Sequence, residues 1–233
     1  MRFTVDVGPQ LVAYGSYLQG LEDSLLAPST ATNHGEPPPA TRTHQSDAGV
    51  RYAPSEHWSV IFGGFEIDKA YFNLDAASLY TRLGQIRHRG IESSATYASG
   101  GITAVAGGVW LRPHVERVIA EPGATGTIPL GPTPLSLTLN LDLAPEAWKP
   151  LAAQLQLNRR SGGVATADDR VRLDPITTVA VGARYEGKLR THPFSVRLDL
   201  LNATNAAGLK LTSVGQLVPE PGRRFTLVFA IDQ

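Results

Sequence analysis

The chain of 233 residues carries 21 Lys+Arg against 21 Asp+Glu and only 18% charged residues, so it has neither a basic surface for nucleic acid nor an acidic tail. It has no cysteine, which excludes a disulfide framework, thiolate zinc sites and a cysteine nucleophile. No apolar run approaches the roughly 18 residues of a transmembrane helix, and the start, MRFTVDVGPQ, lacks the apolar stretch and cleavage site of a signal peptide.

Helical periodicity is nearly absent, and alternation of apolar and polar residues runs through most of the chain. Five weaker strands come first, over 10–19, 41–53, 57–70, 85–97 and 102–116. The clearest follows at Leu135 to Leu143, where five Leu share one face and Ser136, Thr138, Asn140 and Asp142 the other. Leu151, Ala153, Leu155 and Leu157 repeat the pattern against Gln154, Gln156 and Asn158. Val179, Val181, Ala183 and Tyr185 alternate with Ala180, Gly182 and Arg184, and Phe194, Val196, Leu198 and Leu200 with Ser195, Arg197 and Asp199. Phe225, Leu227, Phe229 and Ile231 close the series, which makes ten strands. Most are near the roughly 9–11 residues that cross a bilayer at a tilt.

The connections sort by length. Those at 21–39, 71–84, 118–134, 160–175 and 202–222 are long, and those between them are short. In a meander, alternate connections lie at opposite ends, so the sorting predicts one end of turns and one of loops, as in outer-membrane barrels. It also predicts that both ends of the chain lie on the turn side. Tyr14, Tyr17, Tyr52, Trp58, Tyr71, Tyr97, Trp110, Tyr185 and Phe194 fall near strand ends, where they read as interfacial girdles or as ordinary core aromatics. Alternation fits either a soluble sandwich or a barrel with its apolar face in lipid. The loop sorting favours the barrel.

Several segments resemble the TonB-dependent siderophore receptors of the bacterial outer membrane. They are Leu11 to Gly20 (LVAYGSYLQG), Gln45 to Tyr52 (QSDAGVRY), Trp58 to Lys69, Gly84 to Glu92 (GQIRHRGIE), Val179 to Tyr185 (VAVGARY) and Arg197 to Asn205 (RLDLLNATN). The Gly84 to Glu92 segment is the most specific, and the order and spacing hold over essentially the whole chain. The resemblance implies an all-β, antiparallel transmembrane barrel meander in which residues 1–233 supply the C-terminal portion of a barrel of about 22 strands. It implies a Gram-negative outer-membrane location and uptake of a ferric siderophore, with TonB acting only through a plug domain not seen in this sequence. The terminal Gln233 departs from the aromatic residue that usually closes such barrels. A free-standing small outer-membrane barrel with a structural or pore role, and a soluble all-β binding module, stay open beside this reading.

The candidate ligand wall is the set of polar strand residues Asn140, Gln154, Gln156, Arg184 and Arg197, with the long connections as the capturing surface. Arg87 and Arg89 share a face with Ile91, opposite His88 and Glu92, and are candidates for contact with outer-membrane lipid and lipopolysaccharide. The six His (34, 44, 57, 88, 114 and 192) show no metal-binding spacing, so no metal and no cofactor is expected. Asp168 and Asp169 read as solvated loop residues. Asn202-Ala-Thr204 matches a glycosylation sequon by accident. No serine sits in a nucleophile elbow, and no enzymatic activity is expected.

Overall fold

The computed structural model describes residues 1–23, 26–212 and 216–231. The predicted closing residue, Gln233, lies outside them. Eleven strands form one antiparallel sheet in which each is paired to its neighbour in sequence. They are β1 (Arg2–Gly8), β2 (Leu11–Glu22), β3 (Thr41–Ser55), β4 (Trp58–Leu74), β5 (Tyr80–Ser99), β6 (Ile102–Arg117), β7 (Leu135–Leu143), β8 (Leu151–Arg160), β9 (Ile176–Leu189), β10 (His192–Leu201) and β13 (Arg224–Ile231). A two-stranded hairpin, β11 (Leu209–Leu211) with β12 (Leu217–Pro219), sits inside the connection from β10 to β13. The all-β meander is as the sequence predicts.

The strand count differs by one. Residues 2–8 form β1, which pairs with β2 from Arg2↔Ser16 to Gly8↔Leu11 across a turn at 9–10. Phe3, Val5 and Val7 alternate with Arg2, Thr4 and Asp6 over too short a run to stand out in the sequence. The extra strand reverses one prediction. The first strand starts at the loop end of the sheet, while the last strand still finishes at the turn end. It also makes β1 and β13 run in the same direction. Each is paired on one side only. A sheet with an even strand count could close on itself with antiparallel pairing. This one would have to pair two parallel strands.

Connections at one end are 23–40, 75–79, 118–134, 161–175 and 202–223, and at the other 9–10, 56–57, 100–101, 144–150 and 190–191. The predicted long loop at 71–84 is mostly strand. β4 has 17 residues and β5 has 20, so their hairpin projects beyond its neighbours. At about 3.3 Å per residue and a tilt near 40°, about a dozen residues span a ~30 Å hydrocarbon layer, so a 20-residue strand extends well past it. An Asx turn closes the hairpin, the Asp75 carboxylate accepting from the backbone N–H groups of Ala77 (2.8 Å) and Leu79 (2.9 Å).

A β-bulge shapes this hairpin. Tyr71 pairs with Gly84 and Phe72 with Arg82, so Leu83 is the unpaired extra residue. Leu83 is fully buried (0% exposed), and its carbonyl accepts from Val118 N–H (2.7 Å) and Ile119 N–H (3.0 Å), which ties the start of connection 118–134 to the bulge. Gly84 lies against the backbone of Glu116 with no room for a Cβ.

The sheet has no core of its own. Among the described residues, the buried apolar side chains are Ala27, Ala31, Leu83, Val115, Ala152, Val164 and Ile176, mostly in the connections or where these meet strands. One sheet face is apolar and bare, with Phe62 51%, Leu227 63% and Phe229 59% exposed. Ile91, Trp110, Leu137, Val181 and Leu198 extend the same face. Contiguous exposed apolar faces of this kind are unusual on soluble monomers. Near its turn-end margin Trp58 packs on Tyr97 (centroids 4.9 Å apart), and Phe194 on Tyr185 (6.0 Å) and Phe229 (5.9 Å). Tyr14 and Tyr71 do not join this set. Tyr14 alternates onto the polar face and lies over Gly49 and Gly63, and Tyr71 faces Glu121.

Leu83→Ala should leave a cavity at the bulge and cost about 2–5 kcal/mol locally. Amide hydrogen exchange at Val118 and Ile119 should then rise, with little change in β8–β10.

Candidate functional site

The five residues proposed as a ligand wall all lie on the polar face, in the middle and turn-end parts of β7–β10. Asn140 pairs with Gln156 across β7 and β8, and Gln156 faces Ala180 on β9. Asn140, Gln154, Gln156 and Arg197 line one groove of about 330 Å³ together with Asp142 and Asp199. Arg184 lines a neighbouring cavity of about 810 Å³ with Glu186 and Ser195.

The charges in this wall are matched locally. Arg184 and Arg197 are direct cross-strand partners, a repulsive arrangement if both were free. Arg197 Nε donates to both carboxylate oxygens of Asp199 (2.8 and 3.1 Å), and Arg184 Nε lies 3.1 Å from Glu186 Oε1. Gln154 Nε2 donates to Asp142 Oδ2 at 2.6 Å. The result is a surface of amides and paired ions without a surplus cation. Asp142, Asp199 and Glu186 complete it, and alternation alone could have named them, because they share the face of the residues singled out. Among the described residues no group of three or more His, Asp or Glu is placed to hold a metal ion.

The second feature is the cluster of connections at the loop end, which interlock in sequence order. Asn33 acts as a strand mimic, its Nδ2 donating to Tyr80 O (3.2 Å) while its Oδ1 accepts from Tyr80 N–H (2.9 Å). This binds connection 23–40 to the β4–β5 hairpin. Glu121 anchors connection 118–134. Its carboxylate accepts from Tyr71 OH (2.6 Å) and Asn73 Nδ2, and pairs with Arg117 Nε at 3.1 Å. The Arg117 guanidinium stacks over the Tyr71 ring, 5.5 Å from its centroid, and also donates to Gly126 O. With the Arg117 and Glu121 side chains only 15% and 7% exposed, this is a buried pair whose hydrogen bonds are filled from both sides.

Connection 161–175 continues the chain of contacts. Gly126 N–H donates to Ala167 O (3.0 Å) and Thr127 N–H to Asp169 Oδ2 (2.8 Å). Asp168, read from sequence as merely solvated, organises its own turn. It accepts from the Thr166 hydroxyl and the Arg170 N–H, and these two hydrogen bonds, the hydroxyl first, hold its carboxyl below the usual carboxylate range. Connection 202–223 is tied at its root by Asn202, which is 8% exposed and in the left-handed region (φ 49°). Its amide nitrogen donates to Ala206 O (2.9 Å) and Pro221 O (3.0 Å), and its oxygen accepts from Ala206 N–H (2.9 Å). The sequon match is therefore a loop-closing turn with its nitrogen fully engaged.

The third feature is the loop-end margin of the apolar face. Arg87 and Arg89 lie there as alternation predicts, but both are neutralised. Arg87 Nε is 2.7 Å from Asp68 and 3.8 Å from Glu66, and Arg89 pairs with Glu66.

No family model matches the sequence, and no curated protein matches it. Solved structures do. The chain superposes on the ferric preacinetobactin receptor BauA from Acinetobacter baumannii with a TM-score of 0.79 and 23% identity, covering 97% of this chain and 35% of that one. The siderophore receptor PiuA from the same species gives 0.77 at 11% identity, covering 98% and 34%. The ferric citrate transporter FecA gives 0.74 at 14% identity, covering 97% and 36%. The fold is thus that of the siderophore-receptor barrel wall, and the chain spans about a third of the length of these structures.

Glu121→Ala should strand Arg117 in a buried site and cost about 3–5 kcal/mol locally. Hydrogen exchange or limited proteolysis should show connection 118–134 released while β7–β10 stay protected. At Asp168 the folded carboxyl titrates below its unfolded value, so its contribution is complete above the unfolded pKa and is lost as pH falls through the folded one. Proteolysis within 161–175 should accelerate below about pH 4, and Asp168→Asn should show the faster rate already at pH 7.

Proposed function

We propose that the chain forms the C-terminal barrel wall of a Gram-negative outer-membrane receptor that takes up ferric siderophores. The bare apolar face carries this reading, because lipid satisfies it and water does not. The loop end then faces the medium and the turn end the periplasm. Interlocked connections 23–40, 118–134, 161–175 and 202–223, with the β4–β5 hairpin, form the capturing surface. Asn140, Gln154, Gln156, Arg184 and Arg197 line the lumen nearer the periplasm, and serve as a polar path for a ligand already released from that surface. TonB would supply energy through a plug domain and not through this wall. The shared fold with siderophore receptors supports the class of cargo.

The equal direction of β1 and β13 counts against a free-standing closed barrel of these strands alone. An odd number of further antiparallel strands is needed to pair both edges without a parallel seam.

The test uses the protein as its gene encodes it, in iron-limited cells supplied with single ferric siderophores. Deleting 120–130 should abolish growth on one siderophore class while leaving the protein in the outer-membrane fraction with heat-modifiable gel mobility. Protease added to intact cells should cut within 161–175 and spare the turns at 56–57 and 100–101. Recovery of the protein in the soluble fraction, or cutting at the turns instead, would sink the proposal.

A further inference from the structure

The apolar face ends abruptly. Across β2 to β6 one register row reads Gly15, Ala48, Gly64, Ile91 and Trp110. The next row on that face reads Tyr17, Ser46, Glu66, Arg89 and Arg112, and the one beyond it Gln19, His44, Asp68, Arg87 and His114. Two residues of strand separate successive rows, which at a ~40° tilt is about 5 Å along the membrane normal. The change from hydrocarbon-compatible to charged is therefore about one headgroup wide. Counted from the turn end of β6, Trp110 stands roughly 20 Å up and Arg112 roughly 25 Å, which is the height of the apolar band of an outer-membrane barrel.

A cleft of about 630 Å³ opens at this boundary, lined by Arg87, Arg89, Trp110, Arg112 and His114 and walled by Thr127, Ile128 and Pro134. The wall exists because β6 outruns β7. The returning connection covers the free edge, with Leu111 N–H donating to Pro134 O (2.7 Å) and Val115 N–H to Thr127 O (2.7 Å). Between these bonds stands Pro113, which has no N–H to satisfy. The acids in the cleft's own rows, Glu66 and Asp68, are used by Arg87 and Arg89. Glu116, one row further out, accepts from Gln85 Nε2 at 3.1 Å. Arg112 and His114 are exposed, and among the described residues neither has a salt bridge.

We propose that this cleft binds a phosphate of lipopolysaccharide in the outer leaflet, with Arg112 and His114 as the phosphate ligands. The acyl chains of the same molecule lie on Trp110, Ile91 and Phe62 below. A planar guanidinium suits a phosphate bidentately, and His114 adds a second donor. The pair chosen from sequence, Arg87 and Arg89, is the supporting frame. The inference rests on the membrane placement of the apolar face and not on the cargo.

The test uses the protein as its gene encodes it, purified in zwitterionic detergent micelles and titrated calorimetrically with bisphosphorylated lipid A and with dephosphorylated lipid A. Loss of the phosphates should weaken binding at least about tenfold, and Arg112→Gln and His114→Gln should each weaken binding of the phosphorylated form by about that factor. Arg112→Lys should fall between Arg112→Gln and the parent, and Arg159→Gln, on the same face but outside the cleft, should leave binding unchanged. Circular dichroism checks that each variant keeps its strand content. Equal binding of both lipids, no effect of Arg112→Gln, or displacement by inorganic phosphate at equal concentration would overturn the proposal. Failure of that whole protein to enter micelles would overturn the membrane reading with it, whereas entry without phosphate discrimination overturns this proposal alone.

Discussion

The structure depends on the ladder of backbone hydrogen bonds that joins its strands. Over its paired length each inner strand of the eleven-stranded sheet bonds on both sides, so its polar backbone is satisfied within the sheet. That frees the side chains of one face to be apolar below its charged loop-end margin. It also leaves one open edge each on β1 and β13, where the backbone has no strand to pair with. The apolar face, the loop end and the polar wall all follow from that ladder.

Packing of the kind found in soluble domains is displaced to the loop end. Leu83 in the bulge, Val115 beneath it and Val164 in connection 161–175 are among the most buried side chains. Around them the connections are joined pairwise, by Asn33 to Tyr80, Glu121 to Tyr71 and Arg117, and Gly126 and Thr127 to 161–175. Arg160 pairs with Glu220 to bring in the last connection. A loop end built this way passes a change in one connection to the next, because the connections are joined by hydrogen bonds and an ion pair rather than floating on separate tethers.

The two faces handle charge differently. On the polar wall, Arg184 and Arg197 are opposed across the strands and each turns to a carboxylate two residues along its own strand. At the margin of the apolar face, Arg87 and Arg89 turn to acids across the strand pair on β4. Both devices keep long side chains flat against the sheet. Arg112 is left out of the second device because its neighbour on the β7 side is a returning connection, which supplies backbone and apolar groups in place of a carboxylate.

Period-two alternation carried the fold class. The face of each residue in β7–β10, including Asn140, Gln154, Gln156, Arg184 and Arg197, could be read from it because side chains in a strand can only alternate. The same rule put Arg87 and Arg89 beside Ile91. What needed the tertiary structure were matters of pairing. β1 became a strand only by lying on β2, and Leu83 became a bulge only against Tyr71 and Phe72. Residues 71–74 and 80–84 joined strands rather than a loop because the β4–β5 hairpin continues past its neighbours. Asn202, Glu121 and Arg112 took their roles from partners 4 to 50 residues away or from an edge left uncovered. A sequence states which face a residue is on. Which group it meets there is set by register between strands, and register is decided when the sheet assembles.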